Sequence, residues 1–397
     1  MSKVFITGMG AISSLGTNVS ENHTSLRSGK TGIGKAHHFQ SAYVATMPFA
    51  EIDLSDEQLK NKLSITESGV TRTTLIALHA FKEAIQDAHL SQEDLSDFET
   101  GFISSSTVGG MCYTDQLFQD ANQSIDASEF IHSYEGSNHT QYISEKYQIK
   151  GYTDTINTAC SSSANAILVG ARLIQTGRAK RVIVGGADCL SKYTVNGFNA
   201  LRILSESPSR PFDKNRDGLT LGEAAAYLVL EGEETCQNKK KYAELIGFGN
   251  ANDAFHPSAT SDEAFGPIAA MTSALTEAGI HADEIDCINA HGTGTPNNDI
   301  TESFAFSSVF EKVPPFSSTK SFSGHTLSAA GSLEAIFSIL SITHSEVYPS
   351  LNCEHPIDEF EFRVTQSLIE NRTINKVISN SFGFGGNCTS LIFSACS

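Results

Sequence analysis

The spacing of apolar residues predicts amphipathic helices that alternate with short apolar strands. In residues 73–107, apolar side chains recur at intervals of three and four, as on one face of a helix, and a short strand follows at 100–107. Residues 267–295 repeat this order, with a helix first and then a strand that ends at His291. Short, continuous apolar strands are typical of a sheet that is covered on both faces. The pattern therefore predicts an α/β protein.

A second pair of similar units indicates that the chain is an internal duplication. Residues 157–164 (Asn-Thr-Ala-Cys-Ser-Ser-Ser-Ala) lead into one apolar helix, and residues 321–328 (Ser-Phe-Ser-Gly-His-Thr-Leu-Ser) lead into another. A β-branched strand follows each of these helices. We therefore predict two α/β halves, residues 1–235 and 242–397. A functional site is expected where loops at strand ends and helix starts of both halves meet.

The net charge and the cysteine pattern narrow the possible functions. The 397 residues carry a formal net charge of −18, which argues against nucleic acid as a partner because phosphate binding needs a net basic face. No apolar run approaches the 18 residues that span a membrane, and the first residues lack the apolar core of a signal peptide. The eight cysteines contain no CxxC pair. Such a pattern is typical of reduced thiols in a cytoplasmic protein.

Cys160 is the strongest candidate for a nucleophile. It lies between a predicted strand, 153–156, and an apolar helix that is predicted to begin near Ser161. The helix dipole and the free backbone N–H groups at such a helix start favour the thiolate form of a cysteine. A lone cysteine is commonly a buried structural residue, however, so its position alone leaves both interpretations open.

Two histidines and a glycine-rich turn could complete an acyl-transfer site around Cys160. His291 follows a strand and precedes Gly-Thr-Gly-Thr-Pro, where the glycines allow a ligand to approach the backbone. His325 opens a predicted helix, which disfavours its cationic form, so it is expected to be neutral and to donate a hydrogen bond to a developing oxyanion. The turn at 379–387 offers backbone N–H groups for an oxyanion hole. Taken singly, each feature is also compatible with an ordinary turn or a surface histidine.

Two familiar motifs are incomplete, and two others are absent. Residues 8–13 resemble the dinucleotide-binding pattern GxGxxG, but a serine replaces the third glycine. Residues 213–218 resemble the start of a calcium loop, but Ala224 stands where the twelfth position requires an acid. The chain has no GxSxG and no HExxH. We therefore expect neither a bound nucleotide nor a metal ion.

Six short segments follow one another in an order that identifies a family. They are residues 4–10 (Val-Phe-Ile-Thr-Gly-Met-Gly), 158–162 (Thr-Ala-Cys-Ser-Ser), 210–218 (Arg-Pro-Phe-Asp-Lys-Asn-Arg-Asp-Gly), 291–296 (His-Gly-Thr-Gly-Thr-Pro), 320–326 (Lys-Ser-Phe-Ser-Gly-His-Thr) and 380–386 (Asn-Ser-Phe-Gly-Phe-Gly-Gly). Each segment is moderately specific, and together they are very specific. The chain resembles the β-ketoacyl-acyl-carrier-protein synthases, the elongating condensing enzymes of the thiolase superfamily, over nearly its whole length.

The resemblance implies a five-layer αβαβα fold with duplicated halves, and a dimer. It also implies a Cys-His-His site, formed here by Cys160 from the first half with His291 and His325 from the second. Initiating and chalcone-synthase-like enzymes resemble Cys-His-Asn, and thiolases resemble Cys-His-Cys, so His325 favours the elongating branch. The implied reaction is a decarboxylative condensation of an acyl-enzyme with a malonyl-carrier protein. Phosphopantetheine would arrive on the acyl carrier protein, and no cofactor of the enzyme itself is implied.

The same resemblance implies roles for residues next to the three catalytic side chains. The backbone N–H groups of Cys160 and Phe384 would hold the oxyanion, and Phe384 would gate the pocket. Lys320 and Glu302 would form a structural ion pair beneath the histidines.

Substrate-binding residues are implied in the same way. Thr293 and Thr295 would contact the phosphopantetheine arm. Met111, Cys112 and Tyr113 would lie near the acyl tunnel at the dimer interface.

The chain departs from the family pattern at the surface that would dock the carrier protein. The stretch 61–72, where the family often carries a basic run, has few charges, which leaves Arg202, Arg210 and Lys214 as candidates for docking. Cys160 is followed by three serines rather than the Ala-Thr that is common in the fatty-acid enzymes. A specialised pathway, such as aryl-polyene or aromatic polyketide assembly, therefore stands beside fatty acid synthesis as a prediction.

Two alternative functions stay open at this point. A non-catalytic subunit of the chain-length-factor type would lack the nucleophile, whereas Cys160 and both histidines are present; the chain could still be the catalytic half of a heterodimer instead of a homodimer. A coenzyme-A-dependent thiolase would need a second cysteine in the C-terminal glycine-rich loop. Cys388 lies just past that loop, but His325 and the Lys320 motif oppose this interpretation.

Overall fold

The computed structural model of the protein describes residues 2–396 except 124 and 127. Within these residues the strands are β1 (Val4–Ser13), β2 (Thr100–Ser105), β3 (Thr153–Ile156), β4 (Arg181–Asp188), β5 (Ala224–Gly232), β6 (Ala243–Asn252), β7 (Cys287–Asn289), β8 (Phe316–Ser317), β9 (Lys376–Phe382) and β10 (Asn387–Ser394). The α-helices are α1 (Val19–Ser28), α2 (Asp56–Leu63), α3 (Arg72–Asp87), α4 (Gln92–Leu95), α5 (Thr114–Gln123), α6 (Asn138–Tyr147), α7 (Ser162–Gln175), α8 (Lys192–Ala200), α9 (Phe265–Ala278), α10 (Pro296–Val309), α11 (Lys320–Ser323) and α12 (Ala330–His344).

The strand order β3-β2-β4-β5-β1-β6-β10-β9-β7-β8 contains an internal repeat. In the first half, β5 runs antiparallel between β1 and β4, and β2 runs parallel between β4 and β3. In the second half, β10 runs antiparallel between β6 and β9, and β7 runs parallel between β9 and β8. Two residue pairs between β1 and β6 join the halves. The predicted duplication is therefore present strand for strand.

Helices form the outer and central layers of the fold. α3 packs on β1 and β5, and α9 packs on β6 and β10, while α7 and α12 pack against each other and against strands of both halves. The central apolar core contains the buried faces of α7 and α12, and separate cores lie beneath α3 and α9. The result is the predicted succession of helix, sheet, helix, sheet and helix layers.

Glycines in β1 and β6 let the outer helices approach the sheet closely. A Cβ atom on Gly10 would lie 2.1 Å from the carbonyl oxygen of Ala80 in α3, and one on Gly249 would lie 2.1 Å from that of Ala270 in α9. Only a residue without a side chain fits so close to a helix backbone. The GxGxx pattern at the start of the chain therefore serves packing inside a strand and does not form a nucleotide-binding turn.

One apolar helical stretch, Leu327–His344, is long and apolar enough to cross a membrane by length and composition. The fold buries 89% of it between the two halves of the sheet. Its apolar character is accounted for by its position in the central helix layer, where both faces of α12 contact protein.

Candidate active site

Cys160 lies on a tight turn between β3 and α7. Ala159 adopts a left-handed backbone conformation with φ 53°, which is unfavourable for a residue with a Cβ atom and turns the chain sharply before the cysteine. The next residue, Ser161, is the N-cap of α7, as predicted. The Cys160 side chain is buried, and it lines two cavities that meet at this point.

The thiol of Cys160 does not rest as a thiolate, contrary to the expectation from its helix start. Burial raises the pKa of Cys160 to about 11, although the Lys320 ammonium and the Phe384 backbone N–H both act to lower it. Desolvation of the charged form outweighs these favourable groups because the side chain is cut off from water. The Lys320 charge and the Phe384 N–H therefore only partly offset the cost of burying a charged sulfur.

His325 contacts the nucleophile directly. Its Nε2 lies 3.1 Å from Cys160 Sγ, and its Nδ1 accepts the backbone N–H of Leu327 at 3.3 Å. This second contact assigns the proton of the neutral ring to Nε2, which therefore donates toward the sulfur. The backbone N–H of His325 is fixed by the carbonyl oxygen of Thr220 at 2.7 Å.

The two histidine rings are perpendicular, with centroids 5.5 Å apart. Burial, together with the nearby Lys320 charge, lowers the pKa of His291 and of His325 well below the ordinary value. Both rings are therefore neutral N–H donors, as expected for His325. A helix start is not the reason that His325 is neutral. His325 precedes a short 3₁₀ turn, 327–329, and α12 begins only at Ala330.

A carboxylate holds the loop that carries His291. Glu302 on α10 accepts the backbone N–H groups of His291 and Gly292, each at 2.8 Å. Asp299, one turn earlier on the helix, accepts the N–H of Gly294 at 3.2 Å. Burial raises the pKa of Glu302 to about 7, although these N–H groups act to lower it. The loop after β7 is therefore anchored to α10, which fixes the backbone of His291.

The predicted ion pair between Lys320 and Glu302 is wrong. Lys320 Nζ lies 2.5 Å from Glu334 Oε1, and both side chains are almost fully buried. Glu334 belongs to α12, which lies beside the Lys320 turn, whereas the Glu302 oxygens face backbone N–H groups. Glu334 is the one acid in α12, whose other residues are mostly apolar or carry a hydroxyl, and this unusual position was the signal in the sequence that could have identified it.

Replacing Glu334 with leucine is expected to destabilise the fold by about 3–5 kcal/mol, because it leaves the Lys320 ammonium buried without a counter-charge. Chemical denaturation of the variant and the wild type measures this difference. The double variant Lys320→Met/Glu334→Leu removes both charges and should recover most of the loss. A single variant as stable as the wild type would show that the pair does not stabilise the fold.

Two cavities meet at Cys160. The first, of about 250 Å³, runs past both histidines and is lined by Thr293 and Thr295. The second, of about 810 Å³, also reaches Cys160 and is lined by Met111 and Cys112, the residues that the resemblance placed near an acyl tunnel.

The rings of Phe384 and Phe198 stack with centroids 5.7 Å apart, and both residues line both cavities. Phe198, on α8, was not predicted as a site residue, because nothing in the sequence of that helix distinguishes it from an ordinary core residue. The turn that carries Phe384 approaches the nucleophile closely. A Cβ atom on Gly383 would lie 3.2 Å from the backbone nitrogen of Cys160.

Tyr113 does not line the predicted acyl cavity. Its hydroxyl donates to Asp56 at 2.7 Å, its ring stacks on Phe130, and it faces a separate cavity that also contains Arg72. This cavity shares Cys112 and Lys192 with the wider cavity, so Tyr113 lies beside the wider cavity without lining it. The assignment of Tyr113 as a substrate contact is therefore corrected.

The candidate docking residues differ in their exposure. Arg202 and Lys214 are exposed, while Arg210 is half-buried and donates to Ser207. Arg72, the basic residue at the end of the sparse stretch, is only slightly exposed, and its guanidinium is engaged by Glu223 and Asp56. Arg202 and Lys214 therefore remain predicted docking residues.

Within the described residues, no group of three or more His, Cys, Asp or Glu side chains could hold a metal ion. The fold and the site together define a class of enzymes that form a covalent intermediate on a cysteine and stabilise an oxyanion with neutral histidines.

The chain belongs to the β-ketoacyl synthase family. The family model "Beta-ketoacyl synthase, N-terminal domain" matches residues 1–235, and "Beta-ketoacyl synthase, C-terminal domain" matches 242–354. The 3-oxoacyl-[acyl-carrier-protein] synthase 2 of Coxiella burnetii is 35% identical, over 99% of this chain and 98% of the relative. As the resemblance implied, the chain is a condensing enzyme of the acyltransferase type.

Solved structures of ketosynthases share the whole fold. The ishigamide ketosynthase/chain length factor covers 100% of both chains at 28% identity with a TM-score of 0.92. The ketosynthase ApeO in complex with its chain length factor ApeC, from Xenorhabdus doucetiae, covers 100% of this chain and 98% of the neighbour at 31% identity with a TM-score of 0.84. These structures confirm the thiolase-like α/β fold.

Proposed function

We propose that the protein elongates carrier-bound acyl chains by decarboxylative condensation on Cys160. The observation that carries this proposal is the convergence of a thiol and two neutral imidazoles. His325 Nε2 lies 3.1 Å from the sulfur, and the ring of His291 lies 5.5 Å from that of His325. These groups stand where a narrow cavity and a wider one meet, so a carrier arm and an acyl chain can reach the same sulfur from opposite sides.

The first half-reaction transfers the acyl chain to the enzyme. Cys160 Sγ attacks the thioester carbonyl, and the oxyanion that forms accepts the backbone N–H groups of Cys160 and Phe384. When the tetrahedral intermediate collapses, the bond to the carrier sulfur breaks. The thiol proton of Cys160 goes to the departing carrier thiolate, so the step is balanced without another reactant.

The second half-reaction forms the carbon–carbon bond. A malonyl thioester enters the narrow cavity, and the Nε2–H groups of His291 and His325 donate to its thioester carbonyl oxygen. Carbon dioxide leaves, the two N–H groups stabilise the resulting enolate, and its carbon attacks the acyl carbonyl on Cys160. The Cys160 thiolate departs and takes up one proton from solvent, which replaces the proton lost to the carrier thiol, and a 3-ketoacyl chain two carbons longer is released on the carrier.

The cavity walls support this division of roles. Thr293 and Thr295 offer hydroxyl groups along the narrow cavity, where a phosphopantetheine arm would lie. Met111 and Cys112 line the wider cavity, where the acyl chain would lie. In this scheme the enzyme needs no cofactor of its own, because phosphopantetheine arrives on the carrier protein.

The relatives support a proposal for the partner and the pathway. Two similar solved structures contain a ketosynthase with a chain length factor. We propose a cytoplasmic enzyme that binds an acyl carrier protein and forms a homodimer or a heterodimer with a chain-length-factor-like homologue. Aryl-polyene or aromatic polyketide assembly is proposed beside fatty acid synthesis.

The two alternative functions are not supported. A non-catalytic subunit would not keep a thiol in contact with a histidine. A thiolase would use a second reactive cysteine in the narrow cavity. Cys388 lines that cavity, but its side chain is almost fully buried, its Sγ contacts the carbonyl oxygen of Gly386 at 3.5 Å, and burial raises its pKa.

A panel of acyl- and malonyl-carrier proteins tests the proposed reaction. The purified protein, alone and together with a copurified homologue, should convert acyl-carrier and malonyl-carrier protein into a 3-ketoacyl chain that is two carbons longer. Mass spectrometry of the carrier arm identifies that product. The proposal is wrong if neither form gives such a product with any acyl donor in the panel.

A further inference from the structure

Asn387 links the glycine-rich turn to the start of the nucleophile helix. Its Oδ1 lies 2.7 Å from the hydroxyl of Ser161, the residue that follows the nucleophile. The same oxygen accepts the side-chain amides of Asn165, on α7, at 2.8 Å and of Asn250, on β6, at 2.9 Å. One side chain of the second half therefore binds the first turn of a helix in the first half.

The backbone of Asn387 closes the turn that carries Phe384. Its carbonyl oxygen accepts the N–H of Gly383 at 2.7 Å, and the carbonyl oxygen of Gly383 accepts the N–H of Gly386 at 3.1 Å. Gly383 itself packs against the backbone nitrogen of Cys160. The side chain of Asn387 thus contacts the segment that carries Cys160, and its backbone contacts the turn that carries Phe384.

We propose that Asn387 is a positioning residue for the oxyanion hole and acts through Ser161. This inference rests on the proposed function, in which the N–H groups of Cys160 and Phe384 hold the oxyanion. Those two N–H groups belong to separate segments. Asn387 is hydrogen-bonded to the next residue along the chain from Cys160, Ser161, and to the residue before Phe384, Gly383. A donor displaced by a fraction of an ångström loses much of its stabilising effect on the transition state. Decarboxylation depends on the histidine N–H groups instead, so it does not require this contact.

The test separates the two half-reactions in the full-length protein. Asn387→Leu removes the polar atoms at similar volume, and Ser161→Ala removes the hydroxyl. Acylation of Cys160 by an acyl-carrier protein is followed by rapid quenching and intact mass, and decarboxylation of malonyl-carrier protein by carbon dioxide release. Each variant is expected to slow acylation by about tenfold to a hundredfold and to leave decarboxylation within about twofold of the wild type. Asn138→Ala, at an asparagine on α6 whose side-chain amide donates to the carbonyl oxygen of His132 outside this network, is the control and should acylate like the wild type.

The double variant decides whether Asn387 acts through Ser161. If it does, Ser161→Ala/Asn387→Leu is no slower than the slower single variant, because both changes remove one interaction. The inference is overturned by additive effects, by equal slowing of both half-reactions, or by unchanged acylation. A wild-type protein that never acylates Cys160 would instead contradict the proposed function itself.

Discussion

Replacing Cys160 with alanine is expected to abolish acyl-enzyme formation and to reduce condensation by at least about 10⁴-fold. The described residues that line both cavities are Cys160, Phe198 and Phe384, and of these only Cys160 has a nucleophilic side chain. Loss of an enzyme nucleophile typically lowers the rate by this factor or more. Because the two histidines remain in place, the variant should still decarboxylate malonyl-carrier protein. Intact-mass spectrometry of the protein and analysis of the carrier products measure the two outcomes.

Cys388→Ser provides the control for this prediction. Cys388 lines the same narrow cavity as Cys160. If Cys388 contributed to acylation, the Cys388→Ser variant would lose that contribution. We expect the Cys388→Ser protein to acylate and to condense like the wild type. An acyl adduct on the Cys160→Ala protein would identify another nucleophile and would overturn the assignment.

The two histidines are expected to contribute differently to the two half-reactions. His325 contacts the sulfur at 3.1 Å, whereas His291 contacts the ring of His325 and that of Phe382. His291→Ala should therefore slow decarboxylation by about 10²–10³-fold and leave acylation nearly unchanged, since one oxyanion donor is typically responsible for that factor. His325→Ala should slow both decarboxylation and acylation.

Single-turnover acylation and carbon dioxide release measure the two effects separately. His23→Ala, at a histidine pair remote from the site, is the control for general damage, because its ring stacks on His344 and binds Glu346. If His291→Ala slowed acylation as strongly as His325→Ala, the separate roles of the two rings would be refuted.

Much of the fold could be predicted because both halves of the duplication show the same local spacing of apolar residues. The helix at α3 and the helix at α9 each show apolar residues at intervals of three and four and precede a short strand, and the same holds around α7 and α12. β3 begins and ends at the predicted residues, Thr153 and Ile156. Helix periodicity and short apolar strands depend on neighbouring residues, so one sequence suffices to recognise them.

The errors concern contacts between distant parts of the chain. Lys320 has two buried acids within reach of its charge, and only the three-dimensional path of α12 decides that Glu334 forms the ion pair. Tyr113 follows Met111 by two residues, yet the hydrogen bond to Asp56 turns it into another cavity. The Cys160 pKa depends on how completely the fold excludes water, which no local pattern reports.

The central claim is that Cys160 carries the acyl chain. The most direct measurement is to incubate the wild-type protein with an acyl-carrier protein alone, digest it and locate the added mass by peptide sequencing in the mass spectrometer. The account predicts one acyl group, on the peptide that contains Cys160, and its disappearance when malonyl-carrier protein is added. An acyl group on Cys388 or on any other residue, or an adduct at Cys160 that malonyl-carrier protein fails to discharge, would contradict it.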